Sequence, residues 1–307
     1  MEAGVSAREL FVLGTASQTP TRRRNQNGYF LRWDDEGLLF DPGEGTQRQL
    51  ILAGIPCSAI TRIFLTHFHG DHCLGLPGII QRLSLDRVSH PVDVYFPASG
   101  SAYFDRLRAA SIFDEAVRLQ VHPVESEGPA DDCPGLRVVA GRLHHRVDAV
   151  GWRLEEPPGV RMLPDRLEAL GVRGPDVGRL REAGEIHVSG RRVVMEEVSR
   201  PRAGQSFAFV MDTAACEGAG RLEEGADLVV SESTFLTGDQ ELARAYGHLT
   251  AAEAARIAAA AGARALVLTH FSQRYPEESW FQAEAEPFFP GAIAARDLLR
   301  VGVPPRR

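Results

Sequence analysis

Thr66-His67-Phe68-His69-Gly70-Asp71-His72 follows directly on the apolar run Ile63-Phe64-Leu65. Three imidazoles and one carboxylate therefore fall within six consecutive residues, His67 to His72, at the end of a candidate strand. Neutral imidazole nitrogen and carboxylate oxygen are favoured donors for zinc. His67 and His69 alternate, so at strand spacing both point the same way. Asp71 and His72 come after the turn glycine and can face a second ion.

Strand-like runs lie on either side. Residues 9–14 (ELFVLG) read as a strand, and 28–33 (GYFLRW) with 37–41 (GLLFD) as a hairpin across Asp34-Asp35-Glu36. Gly43-Glu44-Gly45 opens a helix, TQRQLILAG. Beyond the histidine turn come a helix over 75–85, a strand over 92–96 and a helix over 101–109. A polar loop is expected near 125–135, then strands over 136–139 and 150–154. Residues 155–203 change character: prolines, glycines and charges break the pattern, and core periodicity is absent. This stretch reads as an inserted excursion rather than a second folded domain. The α/β pattern resumes with strands at 207–211 and 228–231, an alanine-rich helix at 250–261 and a strand at 265–269. Early hairpin strands followed by strands alternating with helices suggest two sheets with helices outside, in one domain over 1–307.

The 307 residues carry a net charge of −7, which argues against indiscriminate nucleic-acid binding through overall charge. A local basic patch remains compatible with it. The cysteines (Cys57, Cys73, Cys133, Cys216) form no CxxC pair and read as free thiols of a reducing compartment. Met1 to Glu9 has no signal-peptide pattern, and no apolar run is long enough to span a membrane.

A two-metal site needs further ligands, and strand ends are where rigid backbone supplies them. His144 or His145 lies between two expected strands, Asp212 ends SFAFVM, and His270 ends ALVLT. His67, His69 and His145 would form a nitrogen-rich half, and Asp71, His72 and His270 the other, with Asp212 bridging. Each ion would keep an open position, as catalytic zinc does.

These residues resemble a known family. His67-Phe-His-Gly-Asp-His72 matches the HxHxDH motif of the metallo-β-lactamase superfamily. Phe11-Val-Leu-Gly-Thr15 with Pro20-Thr-Arg-Arg-Arg-Asn25, and Phe40-Asp-Pro-Gly-Glu-Gly-Thr-Gln47, resemble the opening segments of ribonuclease Z. So do Met211-Asp212-Thr213, Ser231-Glu232-Ser-Thr-Phe235, Gly247-His248-Leu-Thr250 and Leu268-Thr-His270-Phe-Ser272-Gln-Arg274-Tyr275. His145, six residues before Gly151-Trp152-Arg153, matches the family histidine and is preferred to His144 on that ground. The chain is most similar to actinobacterial-type members. It departs from the usual pattern at Arg22 (commonly Lys), Met211 (commonly Gly) and Trp152 (commonly Tyr).

The resemblance implies a four-layer αββα sandwich, two zinc ions, a homodimer, a cytoplasmic location and removal of 3′ trailers from precursor tRNA. It implies Asp71 as ligand and proton acceptor, and His248 oriented by Glu232 as the donor to the leaving 3′ oxygen. Ser272 and Arg274 would hold the scissile phosphate, and Arg22, Arg24 and Asn25 the tRNA end. The 155–203 insertion would be the flexible tRNA-binding arm, with Arg173, Arg179 and Arg181 as phosphate contacts. The alternative is a hydrolase of the same fold acting on small phosphodiesters.

Overall fold

Most of the apolar runs become strands buried on both faces, the pattern of strands sandwiched between layers. A computed structural model of the chain describes residues 8–133 and 135–306, with backbone alone for Asp132 and Cys133. The N-terminal reading over residues 1–7 and the Cys133 thiol lie outside that description. The chain divides into two compact units. One comprises the residues up to Glu155 together with Ser206–Pro304, and the other Glu156–Gln205 with Pro305 and Arg306.

In chain order the first unit begins β1 (Glu9–Gly14), β2 (Gly28–Trp33), β3 (Glu36–Phe40), α1 (Thr46–Leu52), β4 (Arg62–Phe64), α2 (Gly70–Cys73), α3 (Leu76–Leu85), β5 (Val92–Pro97) and α4 (Ser101–Arg108). It continues with β6 (Leu119–Val124), β7 (Gly128–Cys133), β8 (Leu136–Arg142) and β9 (Val150–Glu155). The second unit holds β10 (Gly159–Met162), α5 (Pro164–Ala169), α6 (Pro175–Ala183), β11 (Glu185–Val188), β12 (Arg191–Val194), α7 (Met195–Val198) and β13 (Ser199–Arg202). The first unit then resumes with β14 (Ser206–Val210), α8 (Glu217–Glu223), β15 (Leu228–Glu232), α9 (Gln240–Tyr246), α10 (Ala251–Ala260), β16 (Leu266–Thr269), α11 (Ser279–Ala285), β17 (Ile293–Ala294) and β18 (Arg300–Gly302).

Two seven-stranded sheets result, ordered β18-β1-β2-β3-β4-β5-β6 and β17-β16-β15-β14-β9-β8-β7. In each, a parallel half (β3 to β6; β14 to β17) meets an antiparallel one. Their facing sides share one core: Phe40 lies 4.8 Å from Phe209, and Phe64 5.2 Å from Trp152. The outer face of the first sheet packs on α1, α3 and α4, and that of the second on α10 and α11. These are the four αββα layers the motifs imply. Thr250 caps α10 through a box with Glu253, a T-x-x-E signature legible in the sequence.

Two expectations need correction. The polar loop near 125–135 contains β7, an edge strand paired with β8. Its sequence, GPADDC, lacks apolar alternation because an edge strand need not bury both faces. Residues 155–203 are no coreless excursion: Leu167, Val172, Leu180, Val193 and Val198 form a small core of the second unit. These five come from short elements, so no single window shows a period.

Candidate metal centre

The site gathers at the carboxyl ends of strands, most of them in the parallel halves of the two sheets, where open α/β sheets place their ligands. Asp41 follows β3 and the His67–His72 turn follows β4; His145 follows β8, Asp212 follows β14 and His270 follows β16. Side-chain donor atoms of His67, His69, His145 and Asp212 lie within 4.8 Å of one another, and those of Asp71, His72 and His270 likewise. Asp41, Asp212 and His270 adopt left-handed backbone, with φ of 41°, 41° and 62°. Such conformations cost about 1–3 kcal/mol each and persist only where the surroundings over-determine them.

The hydrogen bonds behind the ligands fix where each imidazole proton lies. Thr66 Oγ1 donates to Asp41 Oδ2 (2.7 Å), so the Thr66 oxygen must accept from His67 Nδ1 (3.0 Å). Thr234 Oγ1 donates to Glu232 (2.6 Å) and accepts from His270 Nδ1 (2.7 Å). His145 Nδ1 donates to the Gly247 carbonyl (3.0 Å), and His72 Nδ1 to Asp41 (2.8 Å). In their neutral forms, all four rings then present a bare Nε2 lone pair to the centre.

Those lone pairs face other acceptors. His67 Nε2 is 3.5 Å from Asp212 Oδ2 and His145 Nε2 3.6 Å from it; His69 Nδ1 can supply one proton between the two rings, at 2.9 and 3.3 Å. His270 Nε2 lies 3.1 Å from Asp212 Oδ1, with His72 Nε2 at 3.3 Å. Asn27 Nδ2 approaches His72 Nε2 at 3.2 Å. With the facing rings neutral, buried Asp212 Oδ1 finds no hydrogen-bond donor among the described residues. A buried carboxylate oxygen left without a donor among lone pairs is costly. Divalent cations in the two halves relieve it, so the donor set fits metal.

The two halves differ electrostatically. Burial, with the neighbouring imidazoles, holds His67, His69 and His145 below the usual histidine range, the neutral form that ligates. Burial acts the same way on His72, but the carboxylates of Asp212, Asp71 and Asp41 outweigh it and draw a proton there. Burial likewise opposes ionisation of Asp71 and Asp212. Histidines around them, His72 for Asp71 and His270 then His72 for Asp212, nevertheless hold both below the usual carboxylate range.

Residues 21–192 match the Metallo-beta-lactamase superfamily, and residues 188–271 a Beta-lactamase superfamily domain. A ribonuclease Z of Nocardia farcinica is 60% identical over 306 residues, covering 99% of this chain and 100% of the relative. The chain belongs to the ribonuclease Z family. A ribonuclease Z of Chlamydia caviae is 46% identical over 96% of both chains. The crystal structure of the short form of human tRNase Z superimposes with a TM-score of 0.70 at 26% identity, over 96% of this chain and 99% of that one.

The remaining residues read from the ribonuclease Z motifs divide by environment. Fully buried Glu232 accepts from Thr213 N (2.6 Å), Thr234 Oγ1 (2.6 Å), Leu249 N (3.2 Å) and His248 Nδ1 (3.0 Å). Burial lowers the His248 pKa, but Glu232 and Asp212 more than compensate and push it up to about 9. His248 does not cap α10; Thr250 does. Arg274 lines the cleft and its Nε reaches Ser272 Oγ (3.3 Å). Arg22 is exposed. Arg24 is not: 4% exposed, it pairs with Glu278 at 2.6 Å and lies over Phe271. Asn25 Nδ2 donates to the Glu44 carbonyl (2.7 Å) and so ties two loops together. His144 is exposed and holds the local backbone through Thr213 and Ala214. Sequence reasoning missed Asp41, Thr66 and Thr234, the groups that orient the ligands. Asp41 sits at a strand end inside a quoted motif, which was the available signal.

Proposed function

We propose that this chain is a metal-dependent endoribonuclease that removes the 3′ trailer from precursor tRNA, leaving a 3′-hydroxyl on the tRNA and a 5′-phosphate on the trailer. The observation that carries it is the convergence of His67, His69, Asp71, His72, His145, Asp212 and His270 beside a buried Glu232–His248 pair. It occurs in a chain of the ribonuclease Z family.

Two zinc ions would be held here, one by His67, His69 and His145 and the other by Asp71, His72 and His270, with Asp212 within reach of both groups. Bound there, zinc supplies hydroxide at neutral pH and offsets phosphate charge. Asp71 orients the nucleophile and accepts its proton. His248, kept charged by Glu232, donates a proton to the departing 3′ oxygen. Arg274 and Ser272 hold the scissile phosphate through charge-assisted bonds. Arg22 contacts the tRNA end, while Arg24 and Asn25 shape the loop that presents it.

The unit at Glu156–Gln205 is the tRNA-binding arm. Arg173 and Arg179 already face Glu168 and Asp176. Exposed Arg181 is thus the better phosphate contact of the three, since no ion pair is recorded for it among the described residues. Backbone contacts of this kind suit an enzyme that reads tRNA by shape. The enzyme is a cytoplasmic homodimer; exposed Ile51 and Leu52 of α1 offer apolar surface for the second copy. Among the described residues no helix is long and apolar enough to cross a membrane.

The test is cleavage of a precursor tRNA by metal-loaded wild type and His69→Ala. A single cut at the trailer junction, lost in the variant, supports the reading. Hydrolysis of bis(p-nitrophenyl) phosphate without any tRNA cut would favour a small-phosphodiester hydrolase instead.

A further inference from the structure

Above the ligands lies a cleft of about 750 Å³. One stretch of its wall has no role in the chemistry described. Arg146, next to ligand His145, is exposed, and no ion pair is recorded for it among the described residues. Its guanidinium lies 5.8 Å from the centroid of the Tyr246 ring, within cation–π range. Tyr246 ends α9 and is 45% exposed. Its ring is parallel to that of buried Phe235, 7° off plane with 6.4 Å between centroids. Gly247, at φ 74°, follows it and its carbonyl accepts the His145 Nδ1 hydrogen bond, so the Gly247–His248 peptide, one residue past Tyr246, is tied to His145. His248 comes next.

A partly exposed aromatic ring with a guanidinium over it, two residues from His248, is the chemistry that holds a nucleotide once the guanidinium gives way to a base. We infer that Arg146 and Tyr246 seat the nucleotide bearing the departing 3′ oxygen, its base stacked on Tyr246 and its 5′ phosphate against Arg146. This rests on the tRNA 3′-endonuclease reading. The side of the cut follows from His248, whose proton goes to that nucleotide. Stacking tolerates any base, because every base has a π-face. The seat therefore holds the last tRNA nucleotide in place without selecting its identity.

The experiment compares wild type, Tyr246→Ala, Tyr246→Phe and Arg146→Ala on two precursor tRNAs, one unmodified and one abasic at the last tRNA nucleotide. On the unmodified substrate Tyr246→Ala should lower kcat/KM roughly ten- to hundredfold, the worth of one base stack, and Tyr246→Phe should restore most of it. On the abasic substrate wild type and Tyr246→Ala should converge. An equal loss on both substrates, or no loss on either, overturns the stacking role. Arg146→Ala should weaken binding and reduce the slope of log affinity against log salt by about one. An unchanged slope overturns the phosphate contact. If wild type cuts neither precursor, the endonuclease reading falls and this seat falls with it.

Discussion

His248 shows how one residue acquires a role from its surroundings. Its Nδ1 is engaged by Glu232, which is itself pinned by Thr213, Thr234 and Leu249. The ring thus keeps a fixed orientation and one free nitrogen. Replacing it with alanine should lower kcat on precursor tRNA by about 10²–10⁴, the span of a general acid, with bound metal unchanged. Loss of metal on elemental analysis would instead make His248 a ligand. Asp41 acts one step further back, holding His72 and Thr66. Asp41→Asn should weaken metal affinity about 10–100-fold in a chelator competition, as partners behind metal ligands do; unaltered affinity would remove that role. The candidate ligands were legible because four of them share one turn and Asp212 and His270 end apolar strands, whereas His145 was preferred to His144 only by its match to the family histidine. Asp41, Thr66 and Thr234 were not, since an Asp or Thr at a strand end has many ordinary uses. Arg24 misled for the converse reason: a charged residue in a basic loop reads as exposed, and only the fold brings Glu278 to it.

Among the elements, α8 carries a liability. Both carboxylate oxygens of Glu223 are buried without a hydrogen-bond partner. Burial, then Cys216, pushes its pKa well above the usual glutamate value. The folded state therefore holds this proton more tightly than the unfolded chain does. Stability from this group is greatest at pH below the unfolded value near 4.5 and falls as pH rises through the folded pKa. Glu223→Gln should match wild type in Tm at acid pH and exceed it at alkaline pH, by roughly 1.5 °C for each kcal/mol relieved. A constant difference across pH would contradict this.

The insertion yields a second element-scale expectation. Glu155 and Ser206 are cross-strand partners in β9 and β14, so residues 156–205 stand where a hairpin turn would join them. Cutting residues 156–205 and joining the strands by Asn-Gly should preserve the hairpin. The shortened protein should lose precursor tRNA cleavage, mainly in KM, and keep hydrolysis of bis(p-nitrophenyl) phosphate. Equal loss of both activities would end the arm reading. Central strands were legible because burial on both faces imposes a continuous apolar run. Edge strand β7 and the small core of the insertion were not, because neither needs one.

At the scale of the whole molecule, the ligands divide between the sheets. His67, His69, Asp71 and His72 follow β4 of the first sheet; His145, Asp212 and His270 follow β8, β14 and β16 of the second. Two sheets with helices outside were legible from hairpin strands followed by strands alternating with helices, and the four-layer αββα order came from the family resemblance; sheet order depends on pairings between distant segments. The facing aromatic core holds the sheets together along their length. At the ligand end, buried carboxylates and imidazole lone pairs oppose that packing unless a metal cation or a proton on His72 offsets them. A metal held by this arrangement would favour the folded state over the unfolded one. At free zinc 1,000-fold above Kd, one such site adds about 4.1 kcal/mol. In a chain of 307 residues that is roughly 6 °C in Tm. Chelation should lower Tm by about that much per ion, and readdition of zinc should restore it. Asp212→Ala should abolish most of the zinc-dependent shift, because Asp212 serves both halves. A Tm insensitive to chelation would mean that the aromatic core alone holds the sheets, and that the ligand cluster contributes nothing to their union.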